Sequence, residues 1–230
     1  MSFREARKLD PVHAHDAGAM QLLNGRLHYS GGSLEDRVTP ASDHWSLAVD
    51  EGRAIGGWRE EAPIPRGGPH RGSTAIGGSI YVFGGQASDF GPIEGNPDCH
   101  CAPSGREDHF ADVYRLEPEG TWRRMPDMPI TASHTEQSTV TFGDSALIAG
   151  GSIDYDYATQ KFELTDLVQI YDARKQSWAV GGRLPYRVKS AVVGYWDGWL
   201  YTTGGQRDVG PDDPTPGDVV GEAWRCRFRF

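Results

Sequence analysis

The chain has 230 residues, a formal charge of −9, 30 glycines, 15 prolines and 10% aromatic residues. That length suits one large domain with a sizeable core, and the composition suits many short strands joined by turns. The acidic balance argues against a nucleic-acid-binding surface, which needs clustered Lys and Arg. The three cysteines, Cys99, Cys101 and Cys226, are too few and odd in number for a disulfide framework. No apolar run is long enough to span a membrane as a helix. The first residues lack the apolar core of a secretory signal, so a cytoplasmic location is expected.

Taken in order, the chain repeats one pattern four times. A short apolar strand ends in a glycine pair at Arg26-Leu-His-Tyr-Ser-Gly-Gly32, Ser79-Ile-Tyr-Val-Phe-Gly-Gly85, Ser145-Ala-Leu-Ile-Ala-Gly-Gly151 and Trp199-Leu-Tyr-Thr-Thr-Gly-Gly205. Each is preceded by a two-residue turn and another apolar stretch, which reads as a hairpin. Asn24-Gly25, Gly77-Gly78 and Asp197-Gly198 suit type I′ turns, and Gly143-Asp144 suits type II′. A polar loop and a third strand follow each pair, at His44–Val49, Ala111–Leu116, Leu167–Tyr171 and Ala223–Phe228. Fourth strands open at Trp58, Trp122 and Trp178 and run to Pro65, Pro129 and Pro185. The tryptophans read as packing anchors between neighbouring sheets.

The last unit stops at its third strand. Phe3-Arg-Glu-Ala-Arg-Lys-Leu-Asp-Pro11 aligns with Trp58-Arg-Glu-Glu-Ala-Pro-Ile-Pro65, an aromatic first and a proline last, and so reads as the missing strand. The expected units are 12–65, 66–129, 130–185 and 186–230 completed by 1–11.

Glycine pairs recurring after 53, 66 and 54 residues, a later Tyr114 or Tyr171, then Trp and Pro, make the chain resemble the kelch family of β-propellers over essentially its whole length. The first unit departs from the pattern, with Trp45 and Leu47 where the tyrosine falls. The resemblance implies an all-β, kelch-type propeller with four blades of four antiparallel strands. A closed four-bladed monomer is favoured, with two chains forming an eight-bladed ring as the alternative. Neither the iron motif of nitrile-specifier proteins nor a BTB domain is present: Glu94 and Asp98 have the spacing, but position 102 is alanine.

In such propellers the innermost strands line the channel, and the segments leading into them open on the same face as the loops after the glycine pairs. Aligned from their prolines, the lead-in segments place His15, His70 and His134 at corresponding points, with Lys189 in the fourth. Three imidazoles could hold a divalent ion, zinc or iron, or act as acid/base groups beside Lys189. The same histidines equally fit strand-entry residues that hydrogen-bond carbonyls or a water. Gln86 and Gln206 follow their glycine pairs. With Arg71 and Tyr155 they are candidate ligand-binding residues. No nucleotide cofactor is implied, because no glycine motif leads from a strand into a helix.

The expected function is binding, and transformation, of a small polar molecule at the channel mouth, by lyase, isomerase or hydrolase chemistry. The alternative is a protein-interaction module using the acidic loops 87–110, 152–166 and 206–221. Cys99-His100-Cys101, in the first loop, lacks a second ligand pair at zinc-finger spacing.

Overall fold

The computed structural model describes residues 17–36, 39–87, 91–93, 96–101, 108–156, 161–210, 213 and 217–227, and among them every regular element is a strand. The first sheet is β1 (Ala19–Leu23), β2 (Arg26–Ser30), β3 (His44–Asp50) and β4 (Arg53–Glu60), an antiparallel meander in that order. The second contains β5 (Gly72–Ile76) and β6 (Ser79–Phe83). After the hairpin of β7 (Gly91–Ile93) and β8 (Asn96–Cys101) it is completed by β9 (Val113–Leu116) and β10 (Trp122–Met125). The third contains β11 (Thr139–Phe142) and β12 (Ser145–Ala149). It continues past the hairpin β13 (Ser152–Asp156) and β14 (Lys161–Leu164) into β15 (Leu167–Asp172) and β16 (Ser177–Arg183).

The fourth sheet follows the short β17 (Val188–Lys189). It holds β18 (Val192–Trp196), β19 (Trp199–Thr203) and, after β20 (Gln206–Arg207) and β21 (Asp218–Val219), β22 (Ala223–Arg227). It has three described strands. The proposed closing strand, residues 3–11, lies outside the described residues.

The turns form as their residues dictate. Asn24/Gly25, Gly77/Gly78 and Asp197/Gly198 have positive φ at both positions, as type I′ demands, whereas at the Gly143-Asp144 turn only Gly143 does. The largest departure from an expected boundary is in the first sheet. β4 starts at Arg53, before Trp58, because Glu51-Gly52 forms another left-handed two-residue turn directly after β3. The loops after the second, third and fourth glycine pairs also carry short hairpins, where the sequence suggested irregular chain.

Sheets stack through their innermost strands: β1 on β5, β5 on β11 and β11 on β18. Between the first two sheets lie Ile64, Ile80, Val82 and Tyr114; between the next two lie Phe83, Met128, Ile148 and Tyr171. Leu147, Leu184, Val193 and Leu200 fill the last junction. The glycine pairs join the sheets directly. The Gly32, Gly85 and Gly151 N–H groups donate to the Gly68, Ala132 and Val188 carbonyls of the following unit, at 3.1, 2.8 and 2.8 Å. A Cβ on Gly84 would overlap the Ala132 carbonyl oxygen, so these positions need glycine for space as well as for φ.

The expected closure of the ring, through residues 3–11, lies outside the described residues. Met20 and Leu22 on one end are 58% and 60% exposed, and Val192 and Trp196 on the other are 53% and 71% exposed. Alternation along a strand sends successive side chains to opposite faces, so each end sheet turns an apolar face outward.

Candidate functional site at the channel rim

Each lead-in segment passes through one left-handed residue: Ala17, His70, His134 and Ser190, with φ of 50, 58, 56 and 55°. These four positions are tied in series. The His70 N–H donates to the Ala17 carbonyl at 3.2 Å, the His134 N–H to His70 at 3.1 Å and the Ser190 N–H to His134 at 3.0 Å. This backbone rail is what holds the two imidazoles in register. It also corrects the alignment in the first and fourth units: Ala17 and Ser190 are level with His70 and His134, so His15 is two residues earlier in the sequence and Lys189 one. Positive φ without glycine is rare and costs roughly 1–3 kcal/mol, a strain that collects at functional positions.

The His70 and His134 rings stack with centroids 3.9 Å apart and planes 12° apart. His70 Nδ1 lies 2.6 Å from Glu136 Oε1, both side chains being about one-fifth exposed. A carboxylate only accepts, so Nδ1 carries a proton, and in the neutral form of the ring the lone pair is on Nε2. His134 Nδ1 lies 3.0 Å from Ser133 Oγ. Burial first, then the neighbouring His70, Lys189 and His109, push the His134 imidazole well below its ordinary range, so it is neutral at neutral pH. Lys189 pairs with Gln206 in the β17–β20 ladder, and its Nζ lies 4.7 Å from the centre of the Phe162 ring.

The remaining candidates separate. Arg71 is not available as a ligand-binding group: it is 1% exposed, its guanidinium 3.3 Å from the equally buried Asp112, with Phe110 and Tyr114 beside it. Gln86 is also buried, at 1% exposure, and its N–H is bonded to the Pro69 carbonyl. Gln206 is exposed. Tyr155 lies on β13 opposite Phe162, and Cys99-His100-Cys101 lies on β8 paired with β7, a hairpin strand where a loop tip was expected.

His15 lies outside the described residues. Among the described residues, no group of three or more His, Cys, Asp or Glu could hold a metal ion. The stacked rings suit a shared ion poorly, since in-plane lone pairs on parallel rings do not converge on one point. Glu136, the partner of His70, was not singled out from the sequence. Its signal was the unit His134-Thr-Glu136, which the stacking of consecutive units brings beside the histidine of the preceding one.

Meandering sheets stacked through their inner strands, with polar lead-in residues along the inner rim, define a β-propeller of the kelch type. No family model matches the chain. The chain is similar to kelch-repeat proteins. It is 44% identical over 214 residues to the kelch repeat-containing protein At3g27220 of Arabidopsis thaliana, covering 93% of this chain and 50% of that protein. Kelch-like protein 36 of Bos taurus is 24% identical over 199 residues, covering 86% of this chain and 27% of that one. The solved structure of YjhT superposes with a TM-score of 0.62 at 17% identity, over 84% of this chain and 58% of that chain. The chain therefore spans about half the length of its Arabidopsis relative and less of the other.

Proposed function

We propose that the channel rim binds a small polar molecule and moves a proton on it, with His70 as the acid/base group and Glu136 as the residue that orients it. The supporting observation is the 2.6 Å contact between His70 Nδ1 and Glu136 Oε1. A base with an orienting carboxylate is the arrangement that general acid–base catalysis requires, because it fixes the tautomer and steadies the imidazolium that forms. Neutral His134 stacks against that ring and supplies a hydrogen-bonding partner. Lys189, one residue before the rail, brings positive charge suited to a substrate carboxylate or phosphate. This chemistry belongs with lyases, isomerases or hydrolases.

The alternative is a non-catalytic interaction module using the acidic loops, three of whose carboxylates are paired within the chain: Asp166 with Arg183, Asp208 with Arg187 and Asp218 with Arg207, at 2.5, 2.7 and 3.2 Å.

Imidazole NMR tests the proposal, with millimolar monosaccharides, hydroxy acids and amino acids as probes. The ring signals of His70 and His134 are expected to shift together with at least one class. Glu136→Gln is expected to weaken that binding by about tenfold, the worth of roughly one charge-assisted hydrogen bond. A response that survives unchanged in His70→Gln, or no response to any probe, would overturn the reading.

A further inference from the structure

The seam between the first two sheets is polar where the repeat calls for apolar packing. Counting back from the glycine pairs, His28 stands level with Tyr81 of the second unit and Leu147 of the third. His44, which pairs with Ser30, stands level with Val113 and Val168, which pair with Phe83 and Ala149. All four of those equivalents are buried in the core. A break of this kind with the chain's own pattern marks a functional position, because an apolar pair would pack there without needing hydrogen-bond partners.

These groups line a cavity of about 170 Å³ at the turn end of the sheets, away from the rim, with Leu23, Leu116 and Pro118 as its apolar wall. It has the volume of roughly five waters, at about 30 Å³ each, or of one small organic molecule. His44 Nδ1 and Trp122 Nε1 both donate to the Ala62 carbonyl, at 3.2 and 3.0 Å, which fixes the His44 ring. Burial above all holds His44 and His28 below the ordinary imidazole range, so both are neutral at neutral pH. His28 Nδ1 therefore donates to His44 Nε2, 2.9 Å away, and its lone pair is left on Nε2 with no partner among the described residues.

We infer that this cavity binds a small molecule carrying a carboxylate and, on the adjacent carbon, a proton donor: the chemistry of an α-amino or α-hydroxy acid. Both halves of that chemistry have a counterpart. Arg26 engages Ser46 through Nε and Nη2, leaving Nη1 free and no carboxylate partner among the described residues. A ligand carboxylate supplies one, in a charge-assisted bond. Glu61 takes its described hydrogen bonds on Oε1, from Ser46 Oγ and from Arg59 Nε at 2.8 Å, so its other oxygen is an open acceptor. That oxygen and His28 Nε2 are two acceptors for an ammonium or hydroxyl group, and His28, Arg26 and Glu61 line one cavity.

NMR titration with L-alanine, lactate, acetate and ethanolamine tests the inference, read on the Leu23 and Leu116 methyl groups and the His28 and His44 rings. The His70 and His134 rings report separately on the rim. Alanine or lactate is expected to shift the cavity signals, the tighter of the two assigning an amino acid or a hydroxy acid. Acetate lacks the donor and ethanolamine the carboxylate, and each is expected to bind at least about tenfold more weakly. Arg26→Gln is expected to weaken alanine or lactate by a similar factor. His28→Leu with His44→Val installs the pair of the third unit, Leu147 and Val168. It is expected to lose the binding and keep the native urea midpoint, because both partners of the hydrogen bond leave together. No shift with either acid, acetate bound as tightly as lactate, or binding that survives unchanged in Arg26→Gln or the double variant would each overturn the inference.

Discussion

Arg71 and Asp112 show why a conspicuous charged residue beside a candidate catalytic histidine need not serve catalysis. Each is 1% exposed, and burial alone would push the guanidinium below its usual range, an effect that Asp112 opposes. Removing one partner leaves the other charge uncompensated in a dry junction. Asp112→Asn is expected to cost about 3–5 kcal/mol, whereas a matched apolar pair at both positions costs far less. Urea unfolding of the single and double variants checks this. His44 gives a pH-dependent counterpart. Its Nε2 accepts from His28 Nδ1 at 2.9 Å while its own Nδ1 donates to the Ala62 carbonyl at 3.2 Å. Burial, reinforced by His28, lowers it to about 4. The unfolded chain then binds the proton more tightly than the folded one. Stability is therefore intact above about pH 6.5 and falls as pH drops towards 4, by on the order of 3 kcal/mol in all. In His44→Asn the loss of urea midpoint between about pH 7 and pH 4.5 should be visibly shallower.

At the scale of the element, the glycine pairs were the most legible feature of the sequence. Their physical demand is local: positive φ beside a neighbouring backbone. The consequences of that demand divide the four copies. Gly84 faces the Ala132 carbonyl, while Gly204, at the same point of the fourth unit, has nothing within 4 Å. Gly84→Ala is expected to cost several kcal/mol through overlap as well as φ. Gly204→Ala costs only the left-handed penalty, roughly 1–2 kcal/mol. Thermal unfolding measures both. The turns were legible for the same reason, since Asn-Gly, Gly-Gly and Asp-Gly encode φ residue by residue. The hairpins β7–β8 and β13–β14 were not, because strands of three to six residues are too short for a period to stand out, even where Ile153 and Tyr155 alternate with polar residues. Half of the site was legible too. His70 and His134 follow from the repeat, but the contact with Glu136 depends on how consecutive sheets stack. The choice of Ser190 over Lys189 depends on a backbone dihedral that spacing from a proline does not encode.

For the molecule as a whole, the unsatisfied features of the described residues sit at its two ends: apolar faces on β1 and β18, a groove beside β22, and one glycine, Gly204, facing open space. At the three internal junctions, the first glycine of each pair lies against backbone of the next unit, Gly31 near Gly68, Gly84 near Ala132 and Gly150 near Val188. Gly150 and Gly77 separate packing from backbone conformation at such a junction. Both are left-handed, with φ of 72 and 57°, but a Cβ on Gly150 would lie 2.5 Å from the Val188 carbonyl oxygen, whereas one on Gly77 would meet nothing within 4 Å. Gly77→Ala is expected to lose only the left-handed penalty, roughly 1–2 kcal/mol. Gly150→Ala is expected to lose several kcal/mol more, because the third and fourth sheets must part to admit the methyl group. Urea unfolding of both variants measures the difference, and equal losses would mean that the junction yields without cost.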